Sequence, residues 1–141
     1  MSKPRVTTLV GMNSKTGIAL LPSETGKSTA AERLLAMSGL AREEYLKRFH
    51  RVNVLRQARW SRWRARAAGA FLRRELRGDV IVLGREAWRS MGLPRTEFFE
   101  SFAGSGGATF YLVPHPSGRN LLYNDRASRL RLKRLLRRVI R

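Results

Sequence analysis

A histidine, a serine and an arginine sit close together in Pro114-His115-Pro116-Ser117-Gly118-Arg119-Asn120, directly after the apolar run Thr109–Val113. The prolines fix φ and remove backbone donors, and Gly118 admits angles closed to other residues. Such a loop is stiff, and it would hold His115, Ser117 and Arg119 in fixed relation to a reacting atom or a phosphate. An ordinary strand-to-helix turn uses the same prolines and glycine, so the loop alone leaves both readings open. Two amides extend the pattern. Gly11-Met12-Asn13 ends the first apolar run, and Asn53 lies within Arg51-Val52-Asn53-Val54-Leu55. An asparagine side chain donates and accepts together, the combination that reads the edge of a base.

These groups can act together only if the elements that carry them bring them to one place. Val6–Val10, 50–55, 79–84 and 109–113 read as four short strands, β-branched and apolar. Between them run helical patterns. One opens at Ser28 and stops at Gly39, and "AREEYLKRF" makes a short second piece. Residues 58–77 make a long third helix, with Trp60, Trp63, Ala67, Ala70, Phe71 and Leu76 as its apolar face. The two tryptophans are expected to pack in the core rather than to stack on bases. "REAWRSMG" makes a fourth helix, and a final one starts at Asp125 or Ser128 with Leu130, Leu132, Leu135, Leu136 and Val139 inward. Strand and helix alternate, which predicts a three-layer α/β/α sandwich around a largely parallel four-stranded sheet. In such sheets ligands gather at the carboxyl ends of the strands. Gly11, Met12, Asn13, Asn53 and His115 all fall there.

Composition narrows the chemistry. The 141 residues are read as one domain, 1–141, with a basic C-terminal helix at about 126–141. Twenty-nine Lys and Arg against ten Asp and Glu leave a net charge of +19, mostly from arginine. Arginine forks match phosphate geometry, so a polyanion is the expected partner. Nucleic acid is favoured over a membrane surface, because the basic segments also carry the pattern of a packed domain. The absence of cysteine excludes thiol nucleophiles and thiolate-held clusters, and two histidines, His50 and His115, make a zinc site an unpromising reading. No metal and no cofactor are expected. Thr25-Gly26-Lys27-Ser28-Thr29 imitates the end of a phosphate-binding P-loop. That motif needs a glycine five positions before Gly26, where Leu21 stands. A nucleoside triphosphatase is therefore not expected, although Lys27 and Ser28 would suit a backbone phosphate at a helix start.

The ordered set "LVGMN", "TGKSTAAERLL", "RVNVL", "GDVIVLGREAW" and "VPHPSGRN" resembles the uracil-DNA glycosylase superfamily over about residues 6–124. The Gly-x-Asn loop is nearest to the mismatch-specific uracil/thymine branch, with Ser14 in place of that branch's proline. The resemblance implies that Asn13 positions the attacking water and that Asn53 hydrogen-bonds a flipped pyrimidine, with Gly11 and Met12 beside it. It implies that His115 stabilises charge on the leaving base, that Ser117 grips a phosphate, and that Arg119 fills the vacated stack. Gly118 and Asn120 belong to the same DNA-facing loop.

The resulting expectation is a monofunctional DNA glycosylase that flips and removes uracil or a modified or mismatched pyrimidine. Lys15, Arg59, Arg62 and Arg66 would hold phosphates without reading sequence. Lys15 could also form a Schiff base with the sugar, although a lone loop lysine more often meets a phosphate. Two other readings stay open. One is a DNA-binding module on the same fold that recognises a base without cutting. The other is an RNA-associated basic structural protein. The expected setting is a monomer on double- or single-stranded DNA in the cytoplasm or nucleoid, with no membrane and no secretion signal.

Overall fold

The computed structural model describes residues 7–13, 30–55, 59–116 and 121–140. The four apolar runs form strands β1 (Thr7–Gly11), β2 (Phe49–Asn53), β3 (Gly78–Leu83) and β5 (Ala108–Val113). A fifth strand, β4 (Ser101–Ala103), completes one sheet in the order β2-β1-β3-β5-β4. All neighbours are parallel except β4, which runs antiparallel to β5 at the edge. The expected four-stranded parallel sheet is therefore present, and an edge strand is added to it. Three residues are too few to show a period of two, and Phe99 just before them has φ 69°, which no sequence pattern announces for a phenylalanine.

The helices are α1 (Ala30–Ser38), α2 (Arg42–Arg48), α3 (Arg62–Glu75), α4 (Arg85–Ser90) and α5 (Arg126–Val139). The chain steps outward from β1 to β2, then back across β1 to β3. With right-handed crossovers, that reversal puts α1 and α2 on one face of the sheet and α3 on the other. Packing agrees with this. Leu9, Ile81, Leu83 and Val113 bury against Leu34 of α1, Tyr45 of α2 and Leu132, Leu135 and Leu136 of α5. Val10, Val80, Val82, Phe110 and Leu112 bury against Ala65 of α3 and Ala87 and Trp88 of α4. Alternate residues of each strand thus feed two cores, as the pleat requires. The result is a three-layer α/β/α sandwich.

Two expectations about packing fail: Leu130 of α5 is exposed rather than inward, and the apolar face of α3 is wrong. In α3 the buried positions are Ala65 and Gly69, with Ala68, Leu72 and Leu76 partly covered. Trp63, Ala67, Ala70 and Phe71 are exposed, and Trp63 keeps 81% of its surface. Only Trp60 of the pair packs partly against the core. The reason is the closeness of α3 to α4. A Cβ at Gly69 would fall 2.3 Å from the carbonyl oxygen of Ser90, so glycine alone fits at that contact. The bulky apolar residues that look like a core stripe are consequently turned outward.

Candidate functional site

The strand registers decide what meets at the carboxyl edge. Gly11 of β1 is paired with Asn53 of β2. The pairing continues past both strand ends, because Val54 N–H donates to the Gly11 carbonyl at 2.9 Å and Leu55 N–H to that of Met12 at 3.0 Å. Met12, just past the end of β1, packs with the α3/α4 core beside Val10, and Asn13 follows it at this edge. Asn53 shares its parity with Phe49, which is buried against α1, α2 and α5. Asn13 and Asn53 are both half-buried at this end of the sheet.

His115 reaches the same edge from β5. Leu83 and Val113 close the register between β3 and β5, and Gly84 N–H donates to the Val113 carbonyl at 2.8 Å. Gly84 has φ 94°, and a Cβ there would lie 3.2 Å from the Cβ of His115. The turn from β3 into α4 therefore presses directly on the histidine, and glycine alone suits that turn. Three strand spacings separate the Asn53 column from the His115 column, about 14–15 Å of sheet. Asn13 stands on β1, between them.

The histidine is anchored from the other direction as well. Tyr123, buried in a 3₁₀ turn at Leu121–Asn124, donates its hydroxyl to the Pro114 carbonyl at 2.7 Å. Arg129 of α5 in turn donates to the Tyr123 and Asn124 carbonyls at 2.7 and 3.0 Å. Pro114 and Pro116 are buried and His115 is half-buried. Burial pushes the imidazole below its ordinary range, so at neutral pH it is neutral, with one ring nitrogen donating and the other accepting. The same desolvation raises the Tyr123 hydroxyl well above the usual phenol range, which keeps it a donor. Tyr123 and Gly84 are positioning residues that the sequence reading missed. Their signals were an aromatic between the loop and the cap of the last helix, and a glycine closing an apolar strand.

The remaining expected site residues divide plainly. Arg59, Arg62 and Arg66 are exposed around the start of α3. Lys15, Lys27, Ser28, Ser117, Gly118, Arg119 and Asn120 lie outside the described residues. No group of three or more His, Cys, Asp or Glu that could hold a metal ion occurs among the described residues. Among them, too, no helix is long and apolar enough to cross a membrane.

A cavity of about 710 Å³ lies elsewhere, between α3 and α4, lined by Trp60, Arg62, Trp63, Arg66, Arg89 and Leu93 among others. It opens on the α3/α4 layer, whereas Asn53 faces the layer of α1, α2 and α5. The two are separate features.

No family model matches the chain, and no curated protein matches it either.

Proposed function

We propose that this chain is a DNA glycosylase acting on uracil or a modified or mismatched pyrimidine. The observation that supports the reading is the parallel register, which carries Asn13, Asn53 and a neutral His115 to one edge of one sheet. Two side chains with a nucleobase between them suit the span from Asn53 to His115. In the proposed reaction a water held by the Asn13 amide attacks C1′ of the flipped nucleotide. The bond from C1′ to the base nitrogen breaks, and its electron pair leaves with the base. The water's proton passes to solvent. Asn53 hydrogen-bonds the pyrimidine edge, and a neutral imidazole N–H at His115 donates to the carbonyl oxygen on which negative charge gathers. One preorganised donor of that kind contributes about 10²–10³ in rate. Removing the base from the stack costs a few kcal/mol, least for a mismatched base.

An amide at position 13 is a weak base. This favours, as a second reading, a module that recognises a flipped base without cutting. One assay separates these readings. A labelled duplex carrying uracil, mismatched thymine or a 5-substituted pyrimidine is incubated with the protein and treated with alkali. Strand breaks that fall by about 10²–10³ in His115→Ala and are lost in Asn13→Ala are the expected result. Binding to the modified duplex without breaks supports the module. Tight binding of any RNA, unchanged in both variants, overturns both readings in favour of an RNA-associated structural protein.

A further inference from the structure

We infer that the groove between α3 and α4 is a binding site for single-stranded DNA, with Trp63 as the platform on which an unpaired base stacks. Two independent features carry this. Trp63 has 81% of its surface exposed although it lines the groove, an unusual state for the largest aromatic side chain on its helix. Around it stand Arg62, Arg66 and Arg89, with Glu86 as the single acid in the lining. Glu86 is itself within 3.6 Å of Arg89. Trp60, also in the lining, packs partly against the core with its indole N–H buried.

The placement of the arginines is informative. Helix α3 has no acid in its first turn and begins instead with Arg62 and Arg64. Cations at the positive end of a helix work against its dipole, so the Arg62 charge brings the helix no electrostatic gain. An anion laid along the groove would be drawn by both the guanidiniums and the helix end. Beyond the pinch at Gly69 the lining continues through Arg73 and Arg74, about 18 Å of helix from Arg62. Aromatic faces interleaved with a cationic track are what a single strand needs, because every base offers a π-face and every linkage a charge. A duplex keeps its bases stacked and has none to offer Trp63. The choice of DNA over RNA rests on the glycosylase reading; the stacking groove does not.

The test uses fluorescent oligothymidylate, which contains no uracil, so its outcome is independent of base excision. The full-length protein is expected to bind it with quenching of tryptophan emission. Trp63→Ala should weaken binding by about 5- to 100-fold, and Trp63→Phe should restore most of it. Arg66→Gln and Arg89→Gln should each lower the slope of log affinity against log salt by about 0.7, whereas Trp63→Ala leaves that slope unchanged. Far-UV circular dichroism checks that each variant is folded. Oligouridylate run in parallel decides between the two single strands: equal or tighter binding of the RNA overturns the DNA assignment. Folded Trp63→Ala binding oligothymidylate as tightly as the parent, or a parent that prefers fully paired duplex to oligothymidylate, overturns the groove.

Discussion

His115 is held by contacts that each depend on one neighbour, and this makes its behaviour testable. Its imidazole is shifted down by burial, so acid should cost the fold stability. The unfolded chain takes up its proton as pH falls through about 6.5, while the folded protein resists. Across the interval between the depressed native value and 6.5, the unfolded state binds more protons, and stability rises with pH. Urea unfolding at a series of pH values should show that slope, and His115→Gln should flatten it. Tyr123→Phe removes the donor to Pro114 and leaves a buried carbonyl unsatisfied, at a cost of about 1–3 kcal/mol in the same measurement. On the proposed glycosylase reading, if the Tyr123 hydroxyl also fixes the loop, the variant should show a fall in kcat larger than any rise in KM.

At the scale of elements, the strands were legible because buried parallel strands read as continuous apolar runs, and "DVIVLG" and "TFYLV" left little choice. The ends of those strands followed, and with them the edge on which Asn13, Asn53 and His115 stand. The inward face of α3 was not legible. Hydrophobic periodicity assumes that the largest apolar residues face the core, but here Gly69 and Ala65 make the contact and Trp63 is left in solvent. Strand β4 was hidden for a different reason. It is only three residues long, and it is preceded by a left-handed phenylalanine, Phe99, whose N–H donates to the Leu112 carbonyl of β5. The contact at Gly69 gives a prediction of sign. Glycine to alanine inside a helix ordinarily gains about 1 kcal/mol. At Gly69 the added methyl meets the Ser90 backbone, which cannot swing aside as a side chain would. Gly69→Ala should therefore destabilise, by about 1–3 kcal/mol in urea unfolding, and push α4 from α3. By contrast Ala67→Gly, at an exposed position of the same helix, should cost only about 1 kcal/mol.

The whole molecule is shaped by a charge of +19. Basic residues cover both outer layers: Arg62, Arg66, Arg73 and Arg74 on α3, and Arg126, Arg134, Arg137 and Arg138 on α5, with the sheet between them. Some of these cations are already used. Arg131 lies 4.5 Å from the ring centre of Phe99, Arg85 lies 4.2 Å from that of Phe98, and Arg73 donates to the Gly92 carbonyl at 2.7 Å. The ion pairs Arg48–Glu44 and Arg89–Glu86 are exposed and contribute little. With twenty-nine basic residues against ten acidic ones, attraction between opposite charges can offset only a small part of the repulsion among like ones. A protein held by salt bridges loses stability as salt is added. This one should gain it, since chloride screens like charges that lie within about 10 Å of one another at 0.1 M. Thermal unfolding followed by circular dichroism should show the midpoint rising from very low to moderate sodium chloride. The doubly substituted Arg134→Gln/Arg137→Gln protein should start from a higher midpoint at low salt and rise less. Both side chains are exposed, with Arg137 lying over Gly39 beside Lys133, so their loss removes repulsion and little packing. A midpoint that falls with salt in the parent protein would show that pairing, not repulsion, dominates its electrostatics.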